Sequence, residues 1–396
     1  KEHLVLTKRM LQYFPPMKNI YLDNNATAPL LPEISEFVKD FAERQQSNPS
    51  SSHSKGQQWR QEVEKARQDV AALIGCRSSE ILFTSSGTES NNWILRGVCF
   101  EADKKCHIVT SSVEHPSIES TCRYLSERGH KVTILSVNAE GQIDLNTLEK
   151  TFDEKPDLVS IQWVNSETGV IQSVNEIATL CQAAEIPFHT DAVQALGKIP
   201  MNLDSFPVNH ASFSAHKIHG LSGVGASYIE AGSHLDTLIS GGSQERGLRA
   251  GTENLLGILA FGLACKLRKE RLEKIRTHFK KLKTTFLSQL KTDHPEISVN
   301  GSFDNSVDNC LNLHIPGIDV SALLMRMDIK GIYFSQNSAC HGQSISPSIV
   351  LKAMGLSSAE AWSSARFSFS ELNSEDDIRT AANLISKEIS KLKGFA

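Results

Sequence analysis

The chain has 396 residues and is 40% hydrophobic, enough for a sizeable core and, at ~150 residues per domain, for two or three domains. Its 41 Lys and Arg are spread along the chain and offset by 45 Asp and Glu, which excludes the basic footprint of a nucleic-acid binder. No apolar run reaches the ~20 residues that span a bilayer, and no signal-peptide pattern stands at the N-terminus, so no membrane partner is expected.

The expected compartment is the cytoplasm. An organellar matrix stays open, because the chain begins at Lys1. Residues 1–20 match nothing diagnostic and read as an N-terminal extension. From about residue 60, helical and strand patterns alternate: helix EVEKARQDVAALIG, strand ILFTS, helix ESNNWILRGVCFEA, strand CHIVTSS, helix IESTCRYLSERGH and strand KVTILSV. Strand DLVSIQWV, helix SVNEIATLCQAAEI and strands IPFHTDAV, HASFSA and VGASYIE follow. Short apolar strands alternating with helices imply an α/β fold with a mainly parallel sheet covered on both faces, and function at the carboxyl ends of its strands.

The glycine-rich segment SGGSQERGLRAGTEN, residues 240–254, closes this region, and a helix of roughly 35 residues follows. Its basic stretch KLRKERLEKIRTHFKKLK, residues 266–283, reads as a solvated helix face. Residues 21–265 are thus expected to form a large domain. Residues 266–396 read as a smaller α+β domain entered by the long helix, with strands near SVNG, NLHI and GIYFS, a loop at NSACHGQSIS and helices at SPSIVLKAMG and the C-terminus. The first residues of the large domain are candidates to pack with the small one.

Eight cysteines are scattered without a CxxC pair or a zinc-spaced His/Cys cluster, so free thiols in a reducing compartment, and no metal, are expected. Strand ILFTS runs into SSGTES and then a helix, where first-turn N–H groups, Gly87 and the hydroxyls of Ser86 and Thr88 suit an anion, although a serine-rich helix cap looks the same. Asp191 ends one strand and Lys217 follows another. An acid to protonate a pyridine nitrogen, a lysine to bind covalently and a phosphate cup are what pyridoxal phosphate needs. His115, just past strand CHIVTSS, stands where an imidazole could stack on a planar ring. Taken singly, each of these residues is equally an ordinary capping or surface group.

Together with YLDNNAT, SNPSSSHSKG, VNSETGVIQ, GGSQERGLRAGTEN, NSACHGQSISPSIVLKAMG and ARFS, these segments resemble, in collinear order from about residue 20 to about residue 385, cysteine desulfurases of the NifS/IscS type, which are fold-type I pyridoxal phosphate enzymes of the class V aminotransferase family. The resemblance implies a seven-stranded sheet and a homodimer that converts L-cysteine to L-alanine, leaving a persulfide on Cys340 for a sulfur acceptor such as an iron-sulfur scaffold. It also implies roles: Lys217 binding the cofactor covalently, Asp191 on the pyridine nitrogen, His115 on the ring, Gln194 and Ser166 near the phenolic oxygen, and Gly87, Thr88, Ser214 and His216 on the phosphate. Thr252 would join that phosphate from the other subunit, and Arg366 and Asn25 would hold substrate. A bidentate guanidinium suits a carboxylate.

Three positions depart from the family pattern. Ser166 replaces a second asparagine, which implies weaker substrate contact through a hydroxyl or a water; Leu221 replaces a proline; Asn337 replaces a glycine in the Cys340 loop, where His341 could help ionise the thiol. Selenocysteine lyase, another fold-type I activity, or a weakly active or non-catalytic sulfur-transfer scaffold are the alternatives. A metal-dependent hydrolase on His216 and His219 lacks a third ligand at recognisable spacing.

Overall fold

The computed structural model describes residues 19–101, 105–336 and 347–394. A two-residue strand, β1 (Ile20–Tyr21), opens it. The main sheet then uses β2 (Ile81–Thr84), β3 (His107–Ser111), β4 (Lys131–Leu135), β5 (Leu158–Ser160), β6 (Phe188–Asp191), β7 (His210–Ser214) and β8 (Gly225–Ile229) in the spatial order β2-β8-β7-β6-β5-β3-β4. These are the seven strands read from the sequence. Only β8 runs against its neighbours. Strands β2, β3 and β5 to β8 are buried at every position, which is why they read as short apolar runs; β4 lies at the edge and leaves Ile134 exposed.

Helix Ser54–Ile74 starts ahead of the expected Glu62, because the His53 ring accepts the Gly56 N–H at 3.2 Å as an N-cap, and it stops at Gly75, whose φ of 73° is left-handed. Helices Pro32–Glu43, Leu145–Thr151, Val320–Asp328 and Ser358–Trp362 were not anticipated. The long helix spans Leu255–Asp293, 39 residues, capped by Asn254 on Gly257 N–H.

Its first third packs into one apolar cluster with β2, β6 and β7; its last third, Leu282 to Leu290, packs into another with Ile20 and Leu22. That second cluster covers β9 (Ser298–Val299), β10 (Cys310–His314), β11 (Ile332–Tyr333) and β12 (Ser364–Ser368). Strands β12, β10 and β9 form an antiparallel sheet, and β11 pairs in parallel with β1. The chain before β2 is thereby stitched to its C-terminal third, and Arg366 on β12 is carried toward the main sheet.

The basic stretch 266–283 corrects the expectation of a wholly solvated face. Arg268 is buried and pairs with Glu371, and Lys283 is buried with its amine donating to Ser306 Oγ at 2.8 Å and Phe303 O at 3.0 Å. Helical spacing alone does not reveal that a cation's stem lies against the core. No helix among the described residues is long and apolar enough to cross a membrane.

Three buried histidines give the fold a pH signature. His189 bridges β5 and β7 through Ser160 Oγ at 2.9 Å and Ser212 Oγ at 3.1 Å, and burial holds it well below 6.5; burial also pushes His210 and His219 down to about 4. The unfolded chain takes up these protons near pH 6.5 and the folded chain does not, so stability falls as pH drops from 6.5 through 4. Thermal midpoints should be level between pH 7 and 8 and drop steeply below 6.5. A midpoint unchanged down to pH 4.5 would show that these rings are not buried neutral.

Candidate active site

Five strand ends converge on one cavity of about 230 Å³ at the carboxyl edge of the main sheet. Beyond β2, the chain turns into helix Gly87–Glu101, so Gly87 and Thr88 present a helix N-terminus to the cavity. Ser86 Oγ accepts the Glu89 N–H at 3.1 Å and caps that turn. Gly87 is tightly placed: a Cβ there would meet Val193 Cγ2 at 2.5 Å, so a larger residue would have to displace that side chain. The turn is held from behind. Arg67 makes a two-point bridge to Glu245 at 2.7 and 2.9 Å, and Glu245 accepts the Phe83 N–H on β2 at 2.7 Å, which binds the glycine-rich segment to the strand that feeds the cup.

Asp191 ends β6 with Oδ2 accepting from Asn91 Nδ2 at 2.7 Å and Oδ1 accepting from Val193 N at 3.0 Å. His115 caps helix Pro116–Ser126: its Nδ1 accepts the Ser117 N–H at 3.1 Å, which in the neutral ring leaves the proton on Nε2. Beyond β7, Ser214, His216 and Lys217 line the same cavity; burial, with Lys217 alongside, pushes His216 down to about 4, so it presents a neutral ring, 3.1 Å through Nδ1 from Thr27 Oγ1. The Lys217 amine donates to Asn25 O at 2.6 Å and Ala26 O at 2.8 Å. His219 lies outside the cavity, bonded to Pro29 O at 2.6 Å, so His216 and His219 do not converge as a metal pair would require.

Arg366 reaches in from β12. Its Nη2 donates to Asp23 Oδ1 at 2.6 Å and its Nη1 to Ser166 O at 3.2 Å, while the buried Nε has no hydrogen-bond partner among the described residues. Ser166 lines the cavity beside it, but the contacts it makes with Arg366 and Asn25 go through its carbonyl rather than the hydroxyl that sequence emphasised. Asn25 is a hub. Its side chain donates to Ser166 O and accepts from Lys198 and Asn309, and its carbonyl accepts from Lys217 and from Gln194 Nε2 at 3.0 Å.

Thr252 does not reach this cavity. It is exposed, lining a cleft beside Phe41, Gln46 and Asn48 and a smaller one beside Thr84 and Ser85, outside the cavity itself. Cys340, His341 and Asn337 lie outside the described residues, as does the extension up to residue 18.

Three residues were missed. Asn91 stands one helical turn past Gly87 in SSGTESNN and orients Asp191, a signal that the i to i+4 spacing offered. Glu114 is buried under His115 and accepts from Ser111 Oγ at 2.5 Å and Gln162 N at 3.0 Å; burial pushes its carboxyl up to about 8. Lys198 is fully enclosed, and burial holds its amine well below the lysine range; it donates to Asn25 Oδ1 at 2.9 Å and to Gln194 Oε1. Nothing in QALGKIP separates this lysine from a surface one. Because it claims Oε1, Lys198 fixes which end of the Gln194 amide is left for the cavity. Lys198→Met should therefore lower kcat by roughly 10- to 100-fold with KM little changed, the worth of one or two hydrogen bonds to a charged group. Steady-state kinetics with the cofactor band recorded alongside checks this; a pure loss of thermal stability at unchanged kcat would contradict it.

The donor set fits pyridoxal phosphate: a carboxylate, a lysine, an imidazole and a helix N-terminus face one cavity, and the buried Arg366 Nε finds no acceptor among the described residues. Comparison with known proteins agrees. Residues 20–380 match the model of the aminotransferase class-V family. The chain is 37% identical to the cysteine desulfurase IscS of Dictyoglomus turgidum over 95% of its own length and 96% of that protein's, and 38% identical to the cysteine desulfurase of Trichormus azollae over 96% and 95%. Among solved structures, a NifS-like protein superposes with a TM-score of 0.89 at 37% identity, covering 95% of this chain and all of that one; a NifS-like protein from Rickettsia africae gives 0.85 at 34%, covering 94% and 100%. A third, SspA in complex with cysteine, gives 0.79 at 31%, covering 89% and 99%. The chain belongs to the class-V aminotransferase family, on its NifS/IscS-type cysteine desulfurase branch, whose cofactor is pyridoxal phosphate.

Proposed function

We propose that this chain converts L-cysteine to L-alanine and takes the substrate's sulfur onto Cys340 as a persulfide, for delivery to an acceptor protein such as an iron-sulfur scaffold. The observation that carries this is the convergence of Lys217, Asp191, His115 and Arg366 on the cavity that opens at the helix N-terminus of Gly87 and Thr88. The relative solved with cysteine supports the substrate.

Gly87, Thr88, Ser214 and His216 would hold the cofactor's phosphate, Asp191 its ring nitrogen, and Gln194, with Ser166 nearby, its phenolic oxygen. When bound, pyridoxal phosphate supplies an electron sink for bonds at the α-carbon of an amino acid joined to it. Arg366, steered by Asp23, offers its guanidinium to the substrate carboxylate, and Asn25 closes the same wall through its contact with Ser166 O. Lys217 moves the proton at the substrate α-carbon, and the Nε2 side of His115 handles protons above the ring. The Cys340 thiolate then forms an S–S bond to the substrate sulfur as the substrate C–S bond breaks; protonation of the β-carbon completes alanine, and L-cysteine plus the enzyme thiol equals alanine plus the enzyme persulfide.

The active form is a homodimer in which Thr252, exposed away from its own cavity, completes the phosphate cup of the other subunit. The cytoplasm is the working compartment. The seven described cysteines, none of them in a disulfide among the described residues, suit it. Adding L-cysteine to the holoenzyme should change its visible band and release alanine; release of alanine from selenocysteine but not from cysteine would instead favour a selenocysteine lyase.

A further inference from the structure

We propose that Cys99, Cys106 and His130 form a zinc site at the amino edge of the main sheet, opposite the cofactor cavity. Cys99 sits in the last turn of helix Gly87–Glu101, Cys106 directly before β3 and His130 directly before β4, and their ligand atoms all lie within 4.8 Å of one another. The spacing of the three in sequence matches no zinc pattern; pairing of β3 with β4 brings them together, with Lys131 N donating to Cys106 O at 2.8 Å.

Tetrahedral zinc at Zn–S of about 2.3 Å holds two sulfurs about 3.8 Å apart, within that limit. Both thiols are buried in an apolar cluster with Leu95, Ile108 and Leu125, and His130 stands half-buried at its mouth. Two thiolates and a neutral imidazole cancel the charge of a divalent ion, so the loaded site adds no net charge to that apolar cluster. The imidazole as a third ligand and the sulfur-rich donor set select a thiophilic cation such as zinc over a hard one. A water on the His130 side fills the fourth position.

Binding sends two thiol protons to solvent. It also gives up two hydrogen bonds: His130 Nδ1 now accepts the Cys106 N–H at 3.2 Å, which coordination through Nδ1 replaces with a metal–nitrogen bond, and the Cys106 thiol donates to Val98 O at 3.8 Å, which the thiolate cannot do. The helix that carries Cys99 in its last turn begins at Gly87 and Thr88 in the phosphate cup, so the ion pins the far end of the element that holds the cup.

The test uses holoenzyme carrying Cys340→Ala, which removes the other thiol expected to compete, stripped with chelator and dialysed against Zn²⁺ and, separately, against Co²⁺. One equivalent of zinc per chain, thiolate-to-cobalt charge-transfer absorption and a raised thermal midpoint are expected. Cys99→Ala and Cys106→Ala should each abolish all three while the cofactor's visible band persists as a check on folding. His130→Gln, at the half-exposed ligand, should weaken binding at least about tenfold. Zinc bound equally well after Cys99→Ala and Cys106→Ala, no zinc bound at all, or a disulfide between Cys99 and Cys106 in protein isolated without reductant would overturn the site.

Discussion

Lys217→Ala is expected to lose the visible band of the covalently held cofactor and to lower alanine formation by on the order of 10³-fold or more, the combined loss of an anchor and of a proton carrier. The amine has Asn25 O and Ala26 O as its acceptors, so its removal leaves two carbonyls facing the site and no other lysine lining it among the described residues. Lys198 does not substitute. Its amine is enclosed behind Gln194 and bonded to Asn25 Oδ1. Absorption spectra of the purified variant with added pyridoxal phosphate, read beside an alanine assay, decide the matter: an unchanged band would remove Lys217 from the anchoring role.

Arg366→Lys should raise KM for L-cysteine by roughly 100-fold, within the 2–5 kcal/mol cost of breaking a buried charged contact. Lysine keeps the charge that Asp23 requires but loses the planar fork, the donation to Ser166 O and the Nε donor that has no partner among the described residues. The effect belongs in KM more than in kcat, because the guanidinium holds the carboxylate and not the reacting sulfur. Kinetics with Arg366→Lys in which kcat falls and KM does not would place the residue on the reacting end instead. Arg366→Ala is the poorer probe, since it also leaves Asp23 without its cation in a largely buried setting.

Much of the main sheet was legible because strands buried on both faces write themselves as short apolar runs; all seven appear where ILFTS, CHIVTSS and their successors stand. The two-residue β1 was not, since two residues carry no periodicity, and although GIYFS marked β11, its pairing with β1 joins positions more than 300 residues apart. Most of the residues that line the cavity were readable as a set because their motifs stand at or just past the ends of main-sheet strands, whereas Arg366 lies within β12. What sequence could not show was enclosure. Arg268 read as part of a solvated helix face, and nothing local marks Lys198 or Glu114 as buried; only packing by distant segments, Asn25 around Lys198 and Glu371 against Arg268, encloses such groups. Cys99, Cys106 and His130 illustrate the same point, because strand pairing rather than spacing gathers them.

The central claim is that sulfur leaves L-cysteine and lands on Cys340. Its most direct test is a single turnover of the reconstituted holoenzyme with L-cysteine, followed by mass analysis of the Cys340 peptide and an alanine count. The account predicts one added sulfur on that peptide for each alanine released, and neither product in significant amount from Cys340→Ser, which keeps its cofactor band. Alanine formed at the wild-type rate by Cys340→Ser, or sulfur found on another cysteine, would contradict it.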